Sequence, residues 1–594
     1  MGENVADFTL RRLREWGVHR IFGYPGDGIN GFLGALDRAG GDPAFVQARH
    51  EETAALMACG HAKFTGEAGV CLATSGPGAI HLLNGLYDAK LDRQPVVAIV
   101  GQQRRMSLGS EYQQEVDLQT LFQDVCEFVQ TCMEATQARH LVDRAVRVAL
   151  DRKAVSALIF PNDVQEEEAV ESPPRKHGAV YSSVGYTRPR VVPPPDELDR
   201  AAAVLNEGER VAILVGQGAA HAADEVVETA ELLGAGVAKA LLGRAVLPDD
   251  LPFVTGPIGL LGSRPSYELM EACDTLLVVG SSFPYSEWLP REGQARGVQI
   301  DLDGRMVGLR YPMEVHLVGD SRDTLRELIP RLRRRDDRSW RNRVEESVEA
   351  WWRLVEERAL LDAAPMNPQR VVWELSRRLP DGAIVAGDSG SSTNWYARDL
   401  RLRTGMAASL SGTLATMGSA VPYAIAAKFA HPGRPVIALV GDGAFQMNGM
   451  NELITVKRYA ESWVAGAFVV CVFNNEDLNQ VTWEQRVLAG DPEYPATQWL
   501  PDFPYHRYAE LLGFRGIYCD DGERIGDVWD EALSAREPVV VNAKVSADVP
   551  PLPPHVKAEQ LKEMAAAMVK GDPDRSGVLG ETLRHKLLEF LPGR

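Results

Sequence analysis

The stretch PVIALVGDGAFQMNGMNELITVKRYAESWVAGAFVVCVFNN, residues 435–475, decides the fold of this chain. The apolar runs Val436 to Val440 and Ala467 to Phe473 predict two buried parallel strands. Between them, apolar residues recur at helical spacing and predict the buried face of a helix: Met447, Met450, Leu453, Ile454 and Val456. The stretch is therefore predicted to be a strand–helix–strand unit of a parallel sheet.

Polar residues follow both predicted strands. Gly441-Asp442-Gly443 comes directly after the first strand, and Asn474-Asn475 ends the second. Because open parallel sheets bind ligands at the carboxyl ends of their strands, Asp442 and Asn475 are expected to converge. A carboxylate and an amide oxygen suit Mg²⁺, and glycines beside Asp442 let a diphosphate approach the backbone. For Gly-Asp-Gly alone, an ordinary turn is the alternative interpretation, and the Asn pair argues against it.

This arrangement resembles the signature of thiamine diphosphate (ThDP) enzymes. The sequence around it is similar to the superfamily of pyruvate oxidases, quinone-reducing pyruvate dehydrogenases and acetolactate synthases, and closest to the pyruvate oxidase branch. The resemblance covers nearly the whole chain. It implies that Asp442, Asn475 and the backbone carbonyl of Asp477 bind Mg²⁺. Family members usually have glycine where this chain has Asn479, which makes the turn after the metal ligands a departure from the pattern.

Length and composition predict a large multidomain protein. The chain has 594 residues, 45% of them hydrophobic, which is enough for several domains with large cores. A formal net charge of −19 argues against nucleic-acid binding, which requires a basic surface. The seven cysteines form no CxxC pair, which predicts free thiols in a reducing, cytoplasmic compartment. No signal peptide is predicted, and no apolar run approaches the roughly 20 residues of a membrane span.

Alternating helical and strand patterns predict an α/β fold with three doubly wound parallel-sheet domains and a helical tail. The expected boundaries are 1–172 for a pyrimidine-binding domain, 173–196 for a Pro- and Arg-rich linker, 197–335 for a flavin-type middle domain, 336–365 for a connecting helix, 366–548 for a domain that binds diphosphate and Mg²⁺, and 549–594 for the tail.

In the first domain, the resemblance assigns the pyrimidine ring of ThDP to Glu51, which follows His50 and begins a long helix of small residues. An acidic residue in a first helical turn is also favourable by itself, so a structural role is the alternative for Glu51. The resemblance adds further residues that face the cofactor: Gly26, Ser75, Pro77, Gly78 and Asn84. His50 is left without a role.

In the third domain, a strand ending at Asp388 leads into Ser389, Gly390, Ser391 and Ser392, whose backbone amides and hydroxyls suit a diphosphate. The resemblance assigns the same cofactor to residues of the opening stretch: Gly441, Gly443 and Ala444. It also assigns to Met417 the support of ThDP in its bent conformation. A methionine packed in the core is the alternative for Met417, and both roles are compatible.

Two residues are expected on the substrate side and are assigned as catalytic together with Glu51. Gln114 lies in a loop, 109–115, similar to the family's substrate-side loop, in which Gln113 replaces a usual aromatic residue and makes the pocket more polar. Glu484 occupies a position that is glutamate in pyruvate oxidases and tryptophan in anabolic acetolactate synthases. Gln114 and Glu484 are therefore the candidates for handling substrate and proton transfers. A solvent-exposed helical glutamate is the alternative for Glu484.

The middle domain resembles the flavin-binding domain of pyruvate oxidases and implies FAD as a further cofactor. The candidates are residues in turns after predicted strands and acids at or just after strand ends: Gly216, Gly218, Thr255, Gly256, Gly280, Ser281, Phe283, Asp301 and Asp320. An acid at a strand end accepts hydrogen bonds from ribose or ribityl hydroxyls. A glycine turn is equally typical of an ordinary strand-to-helix connection, and some family members bind ADP or nothing here.

The tail predicts two helices, at about 556–570 and 577–591. The second carries an apolar stripe that is expected to pack on the protein itself: Leu579, Leu583, Leu587 and Leu591. The quinone-reducing relatives use their C-terminus to reach the membrane. Peripheral contact of the tail with the inner membrane face or a quinone is therefore the alternative.

The resemblance implies oxidative decarboxylation of a 2-oxo acid, with pyruvate as the expected substrate and electrons passing to FAD and then to quinone or oxygen. Decarboxylation with carboligation, as in acetolactate synthases, is the alternative. A non-catalytic paralogue is a third hypothesis, against which the intact Glu51, Asp442 and Asn475 argue. In the family, ThDP lies between the first domain of one subunit and the third domain of another. The resemblance therefore implies a homodimer as the minimal active unit and a homotetramer as the assembly.

Overall fold

The computed structural model describes residues 2–463, 466–551, 553 and 558–590. It contains three six-stranded sheets, one after another along the chain, and all strand pairs within them are parallel. Helices flank each sheet, and two further helices follow the third domain. The predicted fold of three doubly wound α/β domains with a helical tail is thus confirmed.

The first and third sheets share one strand order. The first domain runs β2-β1-β3-β4-β6-β5 and the third runs β14-β13-β15-β16-β18-β17. The strands of the first sheet are β1 Arg20–Gly23, β2 Ala44–Gln47, β3 Gly69–Ala73, β4 Val96–Gln102, β5 Phe128–Thr131 and β6 Val155–Pro161. Those of the third sheet are β13 Ile384–Gly387, β14 Ala407–Ser409, β15 Val436–Gly441, β16 Phe468–Asn474, β17 Arg515–Cys519 and β18 Val539–Lys544.

The middle sheet has the order β12-β11-β10-β7-β8-β9, which is typical of dinucleotide-binding folds. Its strands are β7 Val211–Val215, β8 Gly236–Lys239, β9 Val254–Pro257, β10 Thr275–Val279, β11 Arg296–Asp301 and β12 Val315–Val318.

The helices alternate with these strands, as right-handed parallel crossovers require. The helices of the first domain are α1 Val5–Glu15, α2 Asn30–Arg38, α3 Glu51–Thr65, α4 Pro77–His81, α5 Leu83–Leu91, α6 Leu118–Phe122, α7 Ala138–Arg152 and α8 Asn162–Gln165. Those of the middle domain are α9 Pro195–Glu207, α10 Ala223–Leu233, α11 Arg264–Ala272 and α12 Ser321–Leu328, and α13 Ser339–Ala359 is the connecting helix. Those of the third domain are α14 Pro368–Arg378, α15 Ser391–Arg398, α16 Ala420–Ala430, α17 Asp442–Ala444, α18 Glu452–Tyr459, α19 Asn479–Glu484, α20 Pro495–Gln498, α21 Tyr505–Leu511 and α22 Ile525–Ser534, and the tail helices are α23 Ala558–Val569 and α24 Arg575–Phe590.

The first and third domains pack on each other through α3 and α16. Small residues let the two helix backbones come close, since a Cβ on Gly60 would lie 3.0 Å from the Cα of Tyr423. Buried hydrogen bonds cross the same interface, among them those from Lys63 to the Leu410 carbonyl and from the Tyr423 hydroxyl to Asp88, while Lys63 also binds Asp92 of its own domain at 2.6 Å. The small-residue character of α3 therefore serves domain packing.

The structure corrects the predicted face of the helix after Asp442. Leu453 and Val456 are buried, but Met447 and Ile454 are exposed. The reason is that the segment is not one regular α-helix, because a π-helical turn, Phe445–Gly449, separates α17 from α18. A π turn changes the angular position of every later residue, so a single helical period misplaces the buried face.

The tail also departs from the prediction. Leu579 and Leu583 on α24 are exposed, so this part of the expected stripe does not pack on the protein. The side chain of Leu587 and all of Leu591 lie outside the described residues, as does much of 552–557, where the first tail helix is expected to begin. Across the described ranges, no helix combines the length and apolarity that a membrane crossing requires.

Candidate active site

The carboxylate of Asp442 ties together the ends of two central strands. It follows β15, is almost fully buried, and accepts backbone N–H groups from Gly443 at 2.9 Å, Asn475 at 3.0 Å and Glu476 at 2.7 Å. The last two donors follow β16, so the predicted convergence of Asp442 and Asn475 is observed in the geometry. Burial raises the pKa of Asp442 to about 7. A cation nearby would stabilise the charged form of such a buried carboxylate.

The loop after β16 turns sharply beneath this carboxylate. Glu476 has a φ of 58°, a strained left-handed conformation for a residue with a side chain. The Asn475 side-chain oxygen accepts the backbone N–H of Asp477 at 3.2 Å. The Asp477 carboxylate points inward to Thr482 and Asn479, which leaves its backbone carbonyl as the predicted ligand. Asn479, the residue that departs from the family pattern, thus helps to anchor this turn.

Open space for a diphosphate lies where β13 and β15 end side by side. This is the point at which the strand order reverses, the usual ligand site of such sheets. Gly390 has a φ of 110° and a Cβ built on it meets no atom within 4 Å, while a Cβ on Gly441 would find only the Ser392 hydroxyl, at 3.9 Å. Ser391 begins α15, so its helix N-terminus borders this space. The predicted diphosphate residues are thus assembled around one gap.

Met417 lies against the same gap, and Asp388 holds it there. The Asp388 carboxylate does not face the diphosphate space; it accepts the backbone N–H groups of Ser389, Gly418 and Ala420 at 2.8–2.9 Å. Burial raises the pKa of Asp388 to about 6. The methyl end of Met417 would be 3.4 Å from a Cβ on Gly443, beside the metal loop. Asp388, predicted to bind the cofactor, acts here on the segment that carries Met417.

Glu51 begins α3 in the first domain and is bonded to a histidine that sequence reasoning missed. Its Oε2 lies 3.0 Å from Nδ1 of His81, at the end of α4. Its Oε1 lies beside Gly78, where a Cβ would be 3.1 Å away and would also clash with Thr74. Glu51 is 7% exposed. The glycine in the Pro77-Gly78 turn therefore makes room for the carboxylate.

Asn84 does not reach open space in this structure. Its amide nitrogen donates to Glu52 at 2.6 Å and to Thr416 at 2.8 Å, which links the first domain to the segment before Met417. Glu452 makes a similar bridge, accepting from Arg49 N–H and the Thr53 hydroxyl. Within one chain, Asn84 is thus a contact between domains.

The remaining first-domain candidates surround one loop. A Cβ on Gly26 would lie 2.5 Å from Thr74, which shows how closely the turns after β1 and β3 approach. Gln114, with a φ of 62°, packs on Gly76, and its side-chain oxygen lies 3.4 Å from the hydroxyl of buried Ser75. Behind the 109–115 loop is a cavity of about 480 Å³, bordered by Gln102, Glu115 and Thr131 among others. The substrate-side loop and the cofactor-facing loop are therefore neighbours.

Glu484 is exposed at the end of α19 and is connected to the diphosphate helix. Its Oε1 accepts from Gln480 at 2.8 Å, and the Gln480 oxygen accepts from buried Asn394 of α15 at 2.8 Å. No sequence pattern marks Gln480 or Asn394, because their bonds join two helices that are distant in the chain.

The tail helices pack on the segment that follows Glu484. Arg486 is buried and binds Asp572 through two bonds of 2.8 Å, with Asp574 and Glu493 at 3.1 and 3.2 Å. Trp483 packs with residues of both tail helices, Met564, Met568 and Val578. The tail is therefore docked on the helix that carries the candidate acid.

In the middle domain, the candidate turns meet at the point where the strand order reverses. Gly218 N–H donates to the Gly280 carbonyl at 3.0 Å, and Cβ atoms on either residue would clash with the other, so these glycines allow two turns to touch. Asp320 caps α12 and also binds His221 and Arg188. The hydroxyl of Thr255 is satisfied inside the domain by Val237 and Ser266.

Asp301 remains partly exposed at the end of β11 and accepts the Asp303 N–H at 2.9 Å. Arg93 of the first domain reaches Asp303 at 3.2 Å. The carboxyl edge of the middle sheet thus has acidic side chains next to a cation.

The residues present fit Mg²⁺ and a diphosphate. An acid whose charged form a cation would stabilise stands beside an open glycine-lined gap at a helix N-terminus, and the amide of Asn475 follows the neighbouring strand. Mg²⁺ held by Asp442, Asn475 and Asp477 would neutralise the Asp442 charge and bind phosphate oxygens.

Comparisons with known proteins show which family the chain resembles. Residues 3–121 match the N-terminal TPP binding domain of thiamine pyrophosphate enzymes, 198–328 match their central domain and 388–543 their C-terminal TPP binding domain. A Bacillus subtilis (strain 168) protein, YdaP, named as thiamine pyrophosphate-containing, is 37% identical over 94% of both chains. Pyruvate oxidase of Lactiplantibacillus plantarum is 27% identical over 95% of this chain and 91% of its own. Acetolactate synthase of Arthrospira platensis is 32% identical over 90% of this chain and 93% of its own.

The raised pKa of Asp442 predicts pH-dependent metal binding. Mg²⁺ requires the carboxylate, so its affinity in the presence of ThDP should rise about tenfold per pH unit up to the pKa of about 7 and then level off. Because the folded pKa lies above that of an unfolded aspartate, the metal-free protein should lose stability as pH rises from about 4 to 7. Calorimetric titration with Mg²⁺ at pH 6, 7 and 8 measures the affinity, with free ThDP and Mg²⁺ titrated alongside as a blank.

Two variants make this prediction specific to Asp442. Asp442→Asn keeps the shape but not the charge and should weaken Mg²⁺-dependent ThDP binding by at least about 100-fold. Asp502→Asn changes an exposed acid that contacts Asn474 at the same sheet edge and should bind ThDP as the wild type does. An affinity independent of pH between 6 and 8, or unchanged in Asp442→Asn, contradicts the assignment.

The Arg486 cluster predicts that one side chain holds the tail in place. Arg486→Ala leaves Asp572 buried without its partner, which typically costs about 3–5 kcal/mol, so both tail helices should detach. Amide hydrogen exchange in 558–586 should become much faster. Lys570→Ala is the matched control, because Lys570 and Asp491 join the same segments through an exposed pair worth less than about 1 kcal/mol. Equal protection from amide exchange in both variants would contradict the prediction that Arg486 holds the tail in place.

Proposed function

Because this chain belongs to the family of thiamine pyrophosphate enzymes, we propose that it decarboxylates a 2-oxo acid, pyruvate, oxidatively. The support is the family itself, the similarity to a pyruvate oxidase over nearly the full length of both chains, and the set of side chains around the gap between β13 and β15. The electrons would pass to FAD and then to quinone or oxygen.

The observation that carries the oxidative reaction is the acid at position 484. Glu484 is held by Gln480, which is itself held by Asn394 of the diphosphate helix. An acid at this point is suited to hold or deliver a proton at the substrate carbonyl. By resemblance, this position is glutamate in pyruvate oxidases and tryptophan in anabolic acetolactate synthases, so the residue type at 484 favours the oxidative reaction.

The other residues position and activate the cofactor. Bound ThDP supplies a thiazolium carbon that adds to a 2-oxo group and accepts the electrons released with CO₂. Asp442, Asn475 and the Asp477 carbonyl would hold Mg²⁺, and Ser391 and Ser392 would donate to the diphosphate. Glu51 would share a proton with a ring nitrogen of the pyrimidine, and Met417 would exclude the extended conformation. Positioning of this kind contributes several kcal/mol to catalysis.

The carboxyl edge of the middle sheet fits the polar half of FAD. Asp301 stands partly exposed at a strand end, as hydroxyl recognition requires. Arg93, Lys153 and Arg188 lie near the acids 301, 303 and 320, so cations are available for a pyrophosphate. FAD would act here as a two-electron acceptor. Asp320 and Thr255, whose polar atoms are already bonded, contribute less to this proposal.

We further propose that the working site is shared by two copies of the chain. Within one chain, Glu51 is bonded to His81 of its own domain, while its neighbour Glu52 is joined through Asn84 to Thr416 of the third domain. Large apolar residues are exposed near both halves of the site, among them Ile80, Val481 and Leu488. Exposed apolar surface of this kind is typical of an interface between subunits.

Acetolactate synthesis is the second candidate. Its support is the identity of 30–32% with several proteins named acetolactate synthase or probable acetolactate synthase, over most of both chains. The two reactions share every residue of the metal and diphosphate site and differ in the step after CO₂ release.

An absorption spectrum tests the oxidative reaction. The purified protein should show bound flavin, and pyruvate added without oxygen should bleach it. Glu484→Gln should lower the bleaching rate by at least about 100-fold, the usual contribution of a general acid, and leave ThDP affinity unchanged. Glu510→Gln, an exposed helical glutamate, is the control and should bleach normally. Acetolactate or acetoin formed without bleaching would reject oxidation in favour of the second candidate.

Complementation tests the shared site. Glu51→Gln and Asp442→Asn should each be inactive, but their co-expression should restore about a quarter of the wild-type activity. Half of randomly formed dimers are mixed, and one of the two sites in each mixed dimer is intact. A site within one chain predicts no restoration at all. A variant that carries both Glu51→Gln and Asp442→Asn in one chain should be inactive when it is expressed alone, and its residual activity sets the baseline.

A further inference from the structure

Glu51 lies in a cluster with two histidines that the proposed reaction does not use. The Nδ1 atom of His81 is 3.0 Å from Oε2 of Glu51, and the His81 ring stacks on the His50 ring with centroids 4.4 Å apart. We propose that His81 is a positioning residue, which holds one oxygen of the Glu51 carboxylate and leaves the other for the pyrimidine nitrogen of the cofactor. This inference rests on the proposed function and names the residue that orients its central acid.

The hydrogen bonds fix the proton positions in both rings. A carboxylate only accepts, so Nδ1 of His81 carries the proton of that bond. Nδ1 of His50 accepts the backbone N–H of Glu52 at 3.2 Å and caps α3, so in the neutral ring its proton lies on Nε2. His50 is thus tied to the backbone, and His81 is stacked on a ring that has little freedom to move.

The two oxygens of the Glu51 carboxylate have different neighbours. Oε2 is engaged by His81, whereas Oε1 lies beside Gly78, which has no Cβ to collide with it. The carboxylate is almost fully buried, whereas the side chain of its partner His81 is 44% exposed. Without the His81 bond, the carboxylate would rotate about its terminal torsion, which has a broad energy minimum.

A metal ion is a weaker explanation for the same cluster. The candidate ligand atoms of His50, Glu51 and His81 all lie within 4.8 Å of one another. Metal binding by His50, however, needs a lone pair on Nε2, and the cap of α3 places a proton there. Metal binding would also have to break the hydrogen bond between Nδ1 of His81 and Oε2 of Glu51, which already satisfies both atoms.

The test uses the ThDP-loaded enzyme and the exchange of the cofactor's C2 proton with deuterium, followed by acid quench and proton NMR. This rate depends on Glu51 and requires no substrate. His81→Leu should exchange at least about tenfold more slowly than the wild type, because a small misplacement of the acid is costly. His81→Asn, whose amide nitrogen takes the position of Nδ1, should stay within about threefold of the wild type. ThDP affinity should be unchanged in both variants.

Controls separate positioning from a structural effect. His50→Asn keeps an N-cap acceptor for α3 and should exchange within about threefold of the wild type. If His81 acts through Glu51, the double variant His81→Leu with Glu51→Gln should be no slower than Glu51→Gln alone.

Wild-type exchange in His81→Leu, equal slowing in His81→Leu and His81→Asn, or additive slowing in the double variant would each overturn the inference. Fast exchange in Glu51→Gln would instead reject the role proposed for Glu51, and the inference with it. The two failures are therefore distinguishable.

Discussion

The structure depends on a single buried carboxylate at the end of a central strand. Asp442 accepts three backbone N–H groups, two of them from the loop after the neighbouring strand, so it fixes how β15 and β16 end relative to each other. Those N–H groups orient the carboxylate but do not neutralise it, which is why burial still raises its pKa to about 7. The left-handed Glu476 is part of the same arrangement, because its N–H makes the shortest of the three bonds. A divalent cation is the species that would make this arrangement favourable, and the gap lined by Gly390 and Gly441 beside it is where the cation's phosphate ligands would lie.

A second constraint explains how two domains of the same strand order come to serve one chemistry. α3 and α16 approach closely because small residues line their contact, and each of them has a site residue at or just before its N-terminus, Glu51 and Met417 respectively. Each of these residues is held by its own domain, Glu51 by His81 and the Met417 segment by Asp388. Buried hydrogen bonds cross the interface between the helices, such as that of the Tyr423 hydroxyl with Asp88, and they are costly to break. The two half-sites that one chain contributes, each to a different shared site under the proposal for two copies, are therefore held in a fixed arrangement before any ligand binds.

The sequence predicts the centre of this fold better than its edges. β3, β4, β15 and β16 are recognisable because strands buried on both faces are continuous apolar runs, and the positions of Asp442, Asn475 and Ser391 follow from strand ends alone. The edge strands β2 and β5 are only partly buried, so no run of this kind marks them. The predicted face of the helix after Asp442 is wrong because a π turn changes its period. His81, Gln480 and Asn394 could not be predicted, since each acts through a bond to a residue that the fold, and not the sequence spacing, brings near.

In the described part of the third domain, two π-helical turns lie next to candidate site residues, one after Asp442 and one after Glu484. Such turns are rare and are frequently found at functional sites. At the second turn, one short segment has two faces. Trp483 and Arg486, three residues apart, both face the tail, while Glu484 bonds backwards to Gln480, four residues earlier, and so faces the diphosphate helix. Docking of the tail and placement of the acid are therefore set by the same few residues. The metal loop is joined to the same helix at one residue, because the Asp477 carboxylate accepts from Asn479 and Thr482 of α19, whereas Asp442 is held by N–H groups from strand ends. A disturbance of the tail should consequently reach Glu484 and the Asp477 turn before it reaches Asp442.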